Sequence, residues 1–378
     1  MSGEDGEAFE TELDMPVSVA MRDEDLFDPP RVIPLRFEIT AAELDAMQSG
    51  SHQYGRCTLR GGGQSLVDVG IRYKGNPAKE AASGKPDFNL EFNEFVSGQK
   101  FHGLKRVILL AGRNDPSYLS APIGLELFRE AGVPAARCGF ARVELNGRDL
   151  GFYLVVEGVN RDFLRQHFTK SSGNLYDEAE DTDVDGKLEK YGGKDNPGQP
   201  DVDALAAAAR ESDPARRWEK LQQQLDLDRF LTFTALEVLL WMKDSYAITA
   251  NKFRIYHDPE SDRMVFFPKN VEELFGKTSG PLMPEWRGLV ARAVMTTPEG
   301  QEQYRKTVAK LLDTVLKPDK VQASAREMAA TIRPAVAGND AAAAQSFDAA
   351  VARFCDAVER RARFVGQQLE TTPATAGE

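Results

Sequence analysis

The chain has 378 residues, 42% hydrophobic and 28% charged, the balance of a globular protein that can bury a substantial core in one large domain or two lobes. Its formal charge of −12 excludes the basic footprint of a nucleic-acid binder, and no compact lysine/arginine cluster offsets that. Residues 1–30 are acidic, carry few core formers and are expected to form a flexible arm. From Val32 to Ile39 apolar and polar residues alternate, as in a half-buried strand. Thr40-Ala41-Ala42-Glu43 then has the spacing of a capping box and opens a short helix. Further strands are expected over 67–73, 88–92 and 107–110. Asp115-Pro116-Ser117 reads as a helix start, with apolar periodicity from Leu119 to Phe128 and Gly132 as the stop. Residues 141–145 and 150–157 flank Asn146-Gly147, whose tolerance of positive φ suits a tight hairpin turn.

Residues 177–203 are rich in Asp, Gly, Asn and Pro and form a break too long for a simple loop, hence an insertion or a lid. The pattern then turns helical, over 204–210, 215–225 and 227–243. A strand pair at 253–257 and 264–267, turned by Asp258-Pro259-Glu260-Ser261, interrupts it. Helices resume from Glu299 to about Leu369, and 371–378 reads as a frayed tail. The expected organisation is α+β: a β-rich lobe at 31–176, the insertion at 177–203, and a helical lobe at 204–370 holding the hairpin 253–267. That is the ground plan of a two-lobed, atypical protein-kinase-like fold.

Other chemistry is sparse. Cys57, Cys138 and Cys355 are far apart and odd in number, which gives no zinc spacing or disulfide framework and suits a reducing compartment. His52, His102, His167 and His257 show no pair at metal-ligand spacing. Gly61-Gly62-Gly63-Gln64-Ser65 is a turn between strands, because no helix follows it to make a phosphate loop. Trp218, Trp241 and Trp286 read as packing residues. No run of about 18 apolar residues could span a bilayer. The acidic start, Met1-Ser2-Gly3-Glu4-Asp5-Gly6-Glu7, lacks the pattern of a secretion signal, so a cytoplasmic location is expected, with neither membrane nor nucleic acid as partner.

Several blocks carry a family resemblance. Phe266-Phe267-Pro268-Lys269-Asn270-Val271-Glu272-Glu273-Leu274-Phe275-Gly276 reads as a buried strand running into a turn. In order before it come Val69 to Asn76, Lys85-Pro86-Asp87-Phe88-Asn89-Leu90, Phe101-His102-Gly103-Leu104-Lys105, Asp115-Pro116-Ser117, Gly132-Val133-Pro134-Ala135, Asn146-Gly147 through Tyr153, Val156-Glu157-Gly158-Val159, Gly173-Asn174-Leu175-Tyr176, Asp244-Ser245-Tyr246 and Arg254-Ile255-Tyr256-His257-Asp258. Together, over about residues 32–335, they resemble the spore coat protein CotH family of atypical kinases. The resemblance implies ATP as nucleotide, Mg²⁺ or Mn²⁺ as metal and a protein or peptide as substrate or partner. It implies catalytic roles for Asp244 and Glu272, nucleotide contacts from Lys74, Lys85, Glu157 and Asn251, and metal ligation by Glu272 and Asn270. A solvated strand-end lysine, a plain turn and an exposed helix-end aspartate are the bland alternatives for Lys85, Lys74 and Asp244.

The departures from the family pattern fall on that same machinery. Where the family has Arg-Glu after Asp-Pro-Ser-x-Leu, this chain has Ser120-Ala121, which removes the expected carboxylate partner of Lys85. Lys252 replaces an asparagine beside the hairpin aromatic, and Asn270 and Glu272 stand where aspartates are usual. Mg²⁺ requires short, near-octahedral contacts, so a neutral Asn or a longer Glu changes what can bind. Three function classes follow: a pseudokinase or a transferase of non-standard chemistry, an active Ser/Thr kinase using Asp244 and Glu272, and a non-catalytic interaction module.

Overall fold

The computed structural model describes residues 24–28, 30–49, 53–179, 182–192 and 198–371. Most of the expected arm at 1–30, His52, and the tail beyond 371 lie outside the described residues. A single-turn helix α1 (Glu24–Phe27) leads into a closed barrel of seven strands. These are β1 (Val32–Ile39), β2 (Gly55–Gly61), β3 (Gln64–Tyr73), β4 (Phe88–Glu91), β5 (Arg106–Leu110), β6 (Cys138–Leu145) and β7 (Arg148–Glu157). Their order around the barrel is β1-β2-β3-β4-β5-β7-β6, closed by the parallel pair β1–β6; the other neighbours run antiparallel. Alternation explains the closure. Inward residues such as Phe37, Leu59, Val69, Leu90, Leu109, Val143 and Tyr153 are buried in one cluster, while Arg36, Glu38 and Arg60 face water.

Helices α2 (Ala41–Gln48), α3 (Pro77–Ala82) and α4 (Ser120–Glu130) sit in the connections. The Thr40 hydroxyl does accept from the Glu43 amide at 3.3 Å, as the capping spacing requires. The Asn146-Gly147 turn is in place, with φ of 50° and 80°. The Asn146 side chain also bonds both backbone groups of Ile39, at 2.8 and 2.9 Å, and so fastens the hairpin to β1. One helix start is corrected. Asp115-Pro116-Ser117 is a turn, and α4 begins at Ser120; Asp115 reaches forward to accept from the Ser120 amide at 2.7 Å.

After α5 (Arg161–His167), strand β8 (Leu175–Asp177) begins a second sheet with β9 (Glu189–Gly192), β10 (Phe253–Asp258) and β11 (Arg263–Pro268), ordered β11-β10-β8-β9. The remainder is helical: α6 (Pro200–Ala209), α7 (Pro214–Gln224), α8 (Leu227–Leu239), the short α9 (Tyr246–Thr249), α10 (Leu289–Met295), α11 (Pro298–Thr314), α12 (Pro318–Ala337) and α13 (Ala341–Thr371). The molecule is thus mixed α+β, β-rich in its N-terminal part and helical in its C-terminal part. A second correction falls here: α8 ends at Leu239, four residues short of the helix expected over 227–243. Trp241 adopts φ of 41° and breaks the helix, so Asp244 sits in a loop beyond it.

Candidate functional site

The loop between α8 and β10 and the segment after β11 meet around a cavity of about 340 Å³. Asp244, Lys252, Asn270 and Glu272 line it together, joined by Asn114, Lys243, Thr249 and Glu273. Two elements make this possible. The β10–β11 hairpin is held by the buried aromatic ladder Phe253–Phe266, ring centroids 5.7 Å apart, and it delivers Asn270 just beyond its second strand. The loop reaches across with Ala250 and Lys252 both in the left-handed region. Non-glycine residues rarely adopt that conformation unless their surroundings impose it.

The charges in the cavity are arranged in pairs. Lys252 Nζ lies 3.8 Å from Asp244 Oδ2, and the Thr249 hydroxyl donates to Asp244 Oδ1 at 3.1 Å. Glu272 and Glu273 are exposed at the mouth. Lys269 adjoins the site in sequence but turns away from it. Its ammonium lies 2.8 Å from both Asp177 and Glu178, while Arg254 meets Asp177 at 3.1 Å. Burial works against that ammonium, but the two carboxylates hold Lys269 above the usual lysine range. Lys269 is therefore neutralised on the β8 side.

The other expected nucleotide contacts do not line this cavity. Lys85 begins the segment leading into β4, and its ammonium donates to the Ala111 carbonyl and the Tyr118 hydroxyl, both at 2.9 Å. Burial lowers it to about 8. The nearest carboxylate, Asp87, is bonded to the Ala111 amide at 2.6 Å and to Arg113 at 3.1 Å. No glutamate from α4 faces Lys85; Ser120, at the position where the family has Arg, instead accepts from the Leu274 amide at 3.3 Å. Lys74 lies alongside, its amide donating to the Asp87 carbonyl at 2.9 Å. Glu157 is buried against Arg137 at 2.7 Å and accepts from Gln166 at 3.1 Å. Asn251 turns its side-chain oxygen to the Lys252 amide at 3.0 Å.

A divalent ion does not fit the donor set as it stands. Among the described residues no group of three or more His, Cys, Asp or Glu side chains comes close enough to hold a metal. Asp244, the best carboxylate present, already has an ammonium and a hydroxyl on its two oxygens.

Sequence reading missed three residues that shape the site. Asp177 and Glu178 were absorbed into a polar stretch, and their only signal was two acids directly after a Leu-Tyr strand. Glu237 is the third: a lone carboxylate inside the apolar run Phe233 to Trp241, where a charge has no reason to sit unless something binds it.

A family model described as CotH kinase protein matches residues 71–368, and the chain belongs to that family. Among its relatives is the inner spore coat protein H of Bacillus subtilis strain 168, 20% identical over 334 residues, which cover 81% of this chain and 88% of that protein. No described helix is long and apolar enough to cross a membrane.

Proposed function

We propose that this chain is a kinase-like, two-lobed protein whose metal site has been remodelled, so that it acts as a pseudokinase or as an ATP-dependent transferase of non-standard chemistry on a protein or peptide partner in the cytoplasm. The observation that carries the reading is the ammonium of Lys252 beside Asp244, in a cavity also lined by Asn270 and Glu272. A phosphoryl-transfer enzyme needs carboxylates free for Mg²⁺ and a lysine oriented by a glutamate over the phosphates. Here the carboxylate is paired with lysine, and Lys85 rests on neutral acceptors. The cavity wall carries three carboxylates against two lysines, so it does not itself attract a metal-free triphosphate. Cationic help for a nucleotide would have to come from Lys74 and Lys85.

Thermal-shift titration with ATP, with and without Mg²⁺ or Mn²⁺, is the first test, followed by transfer assays with γ-labelled and adenosine-labelled ATP. The expected result is a small ATP shift that metal does not increase, and no γ-label on protein. Robust Mg²⁺-dependent γ-transfer lost in Asp244→Ala would overturn the proposal. That outcome belongs to a second reading, an active Ser/Thr kinase, favoured by Asp244 and Glu272 lining one cavity. No response to any nucleotide would instead mark an interaction module.

A further inference from the structure

We infer that Glu237 is the positioning residue of this site: its buried carboxylate anchors the left-handed loop that carries Asp244 and Lys252. The inference rests on the reading of Asp244 as the functional carboxylate.

Glu237 lies in the last turn of α8 and is fully buried. One carboxylate oxygen accepts from the Tyr246 amide at 3.0 Å and the other from the Ala247 amide at 2.9 Å, two and three residues beyond Asp244. Its backbone carbonyl accepts from the Met242 amide at 3.0 Å, so one residue holds the loop on both sides of Asp244. Nothing about helix stability explains an acid there. A carboxylate is disfavoured near a helix C-terminus, and among the described residues no cation lies within ion-pair distance of Glu237. A buried, unpaired carboxylate is costly to keep.

The loop supplies the reason for keeping it. Trp241, Ala250 and Lys252 all have positive φ, and such strain persists only where the surroundings over-determine it. The two amides are the first of α9, which has no side-chain cap of its own. Glu237 acts as that cap from the preceding helix. The ionisable groups around it are Tyr246, whose hydroxyl donates to Asp183 at 3.1 Å, Tyr304 on α11, and Arg361 on α13, which is bonded to backbone carbonyls. None of them donates to Glu237, so the two amides are its partners.

The test uses the full chain and amide hydrogen exchange resolved at single residues. Glu237→Gln keeps the size but offers one acceptor and turns an amino group on the second amide. Exchange at Tyr246 and Ala247 is expected to rise by roughly tenfold or more, while the barrel strands keep their protection. Glu237→Asp keeps a carboxyl but draws it back by one methylene, and is expected to restore only part of the protection. In parallel, whichever metal or nucleotide response Asp244→Ala abolishes is expected to weaken in Glu237→Gln and recover in part in Glu237→Asp. Unchanged protection of both amides in Glu237→Gln, or loss spread evenly over the molecule, overturns the inference. If Glu237→Gln does not fold, the similarly sized Glu237→Leu decides: raised exchange confined to the Tyr246 and Ala247 amides supports the anchor, and unchanged protection there overturns it. If Asp244→Ala changes no ligand response while Glu237→Gln still frees the two amides, the anchor stands and the assignment of Asp244 falls.

Discussion

Lys252 and Asp244 show how little a charge pair decides without its surroundings. At about 4 Å two unit charges interact by roughly 4 kcal/mol at an effective dielectric of about 20. The Asp244 side chain is 53% exposed, however, and exposed pairs are worth at most about 1 kcal/mol. Lys252 therefore blocks the carboxylate more by occupying it than by a large stabilising energy. Lys252→Asn is expected to strengthen Mn²⁺ binding by up to about tenfold in calorimetry, a factor that corresponds to about 1.4 kcal/mol, and the gain should shrink at high salt. Adding Asn270→Asp and Glu272→Asp should increase it further. A Lys252→Asn protein that binds Mn²⁺ no better than the parent would show that the lysine is not what excludes the metal.

Lys85 makes a second argument at this scale, and its sign follows from linkage. Burial lowers its pKa from 10.5 to about 8 in the native state. Between about pH 8 and 10.5 the unfolded chain holds a proton that the native state has released, so stability contributed by this group rises with pH across that window. Below pH 8 the cost of the buried ammonium is present in full. Lys85→Met should therefore raise Tm relative to the parent at pH 7, and that advantage should fade towards pH 10.5. A Tm difference that stays constant from pH 7 to 10.5 would mean that Lys85 is not the group responsible.

Among the elements, the most constrained is the end of α8. Arg361, fully buried on α13, donates to the carbonyls of Val238 at 2.7 Å, Leu239 at 3.0 Å, Gly280 at 2.5 Å and Thr278 at 3.2 Å. The Leu239 carbonyl ends the helix beyond reach of any intrahelical amide, while that of Val238 also accepts from the Trp241 amide at 3.0 Å. Arg361→Met would leave several buried carbonyls without donors, each costing about 1–3 kcal/mol. A loss of at least about 3 kcal/mol in urea unfolding is the expected outcome, and a loss below about 1 kcal/mol would mean that water replaces the guanidinium.

This junction also marks where the sequence stops being legible. The barrel strands and the Asn146-Gly147 hairpin follow from alternation and turn chemistry, which are local. The end of α8 does not, because the Trp241 ring that turns the chain there packs against Gly280 and the last helical carbonyls are held by Arg361, both far along the chain. Asp115 misled for a similar reason: it caps α4 from a turn five residues upstream, where adjacency was expected. Family order leads to the expectation that Lys74, Lys85, Asp244 and Glu272 share one cleft. Asp244 and Glu272 do line one cavity, with Lys252 and Asn270. Lys74 and Lys85 do not, since they sit on the barrel side, which no local pattern relates to those loops. Glu237 and the Asp177–Lys269 pair left only faint signals in the sequence, because burial, which gives them meaning, is a property of the folded chain.

At the scale of the whole molecule, the C-terminal helices join its two parts. Ala329 and Ile332 on α12 and Phe347 on α13 are buried against Phe140, Phe152 and Leu154 on the outer face of β6 and β7. Arg142 on β6 donates to the Ala335 carbonyl at 3.0 Å, and Lys320 pairs with Glu130 at the end of α4 at 2.7 Å. Further along α13, Phe354 packs edge-on against Phe275, 5.6 Å between centroids, beside the segment that bears Glu272. One helix thus touches both the barrel and the cavity wall. A second link is Gly124 on α4, where an added Cβ would stand 2.6 Å from Val271. The close approach of α4 to the Asn270–Glu272 segment depends on its missing side chain.

These contacts predict cooperative unfolding. If the barrel and the helical part were independent, weakening the surface between them would separate their transitions. Ile332→Ala removes a fully buried side chain from that surface and should cost about 2–5 kcal/mol, as large-to-small core substitutions do. We expect far-UV circular dichroism and tryptophan fluorescence of this variant to report one shared transition at a lower urea midpoint. The three tryptophans, Trp218, Trp241 and Trp286, all lie in the helical part, so fluorescence follows that part while the far-UV signal includes the barrel. Two separated midpoints in Ile332→Ala would show that α12 and α13 rest on the barrel without coupling to it. The cavity would then be free to change width as the two parts move.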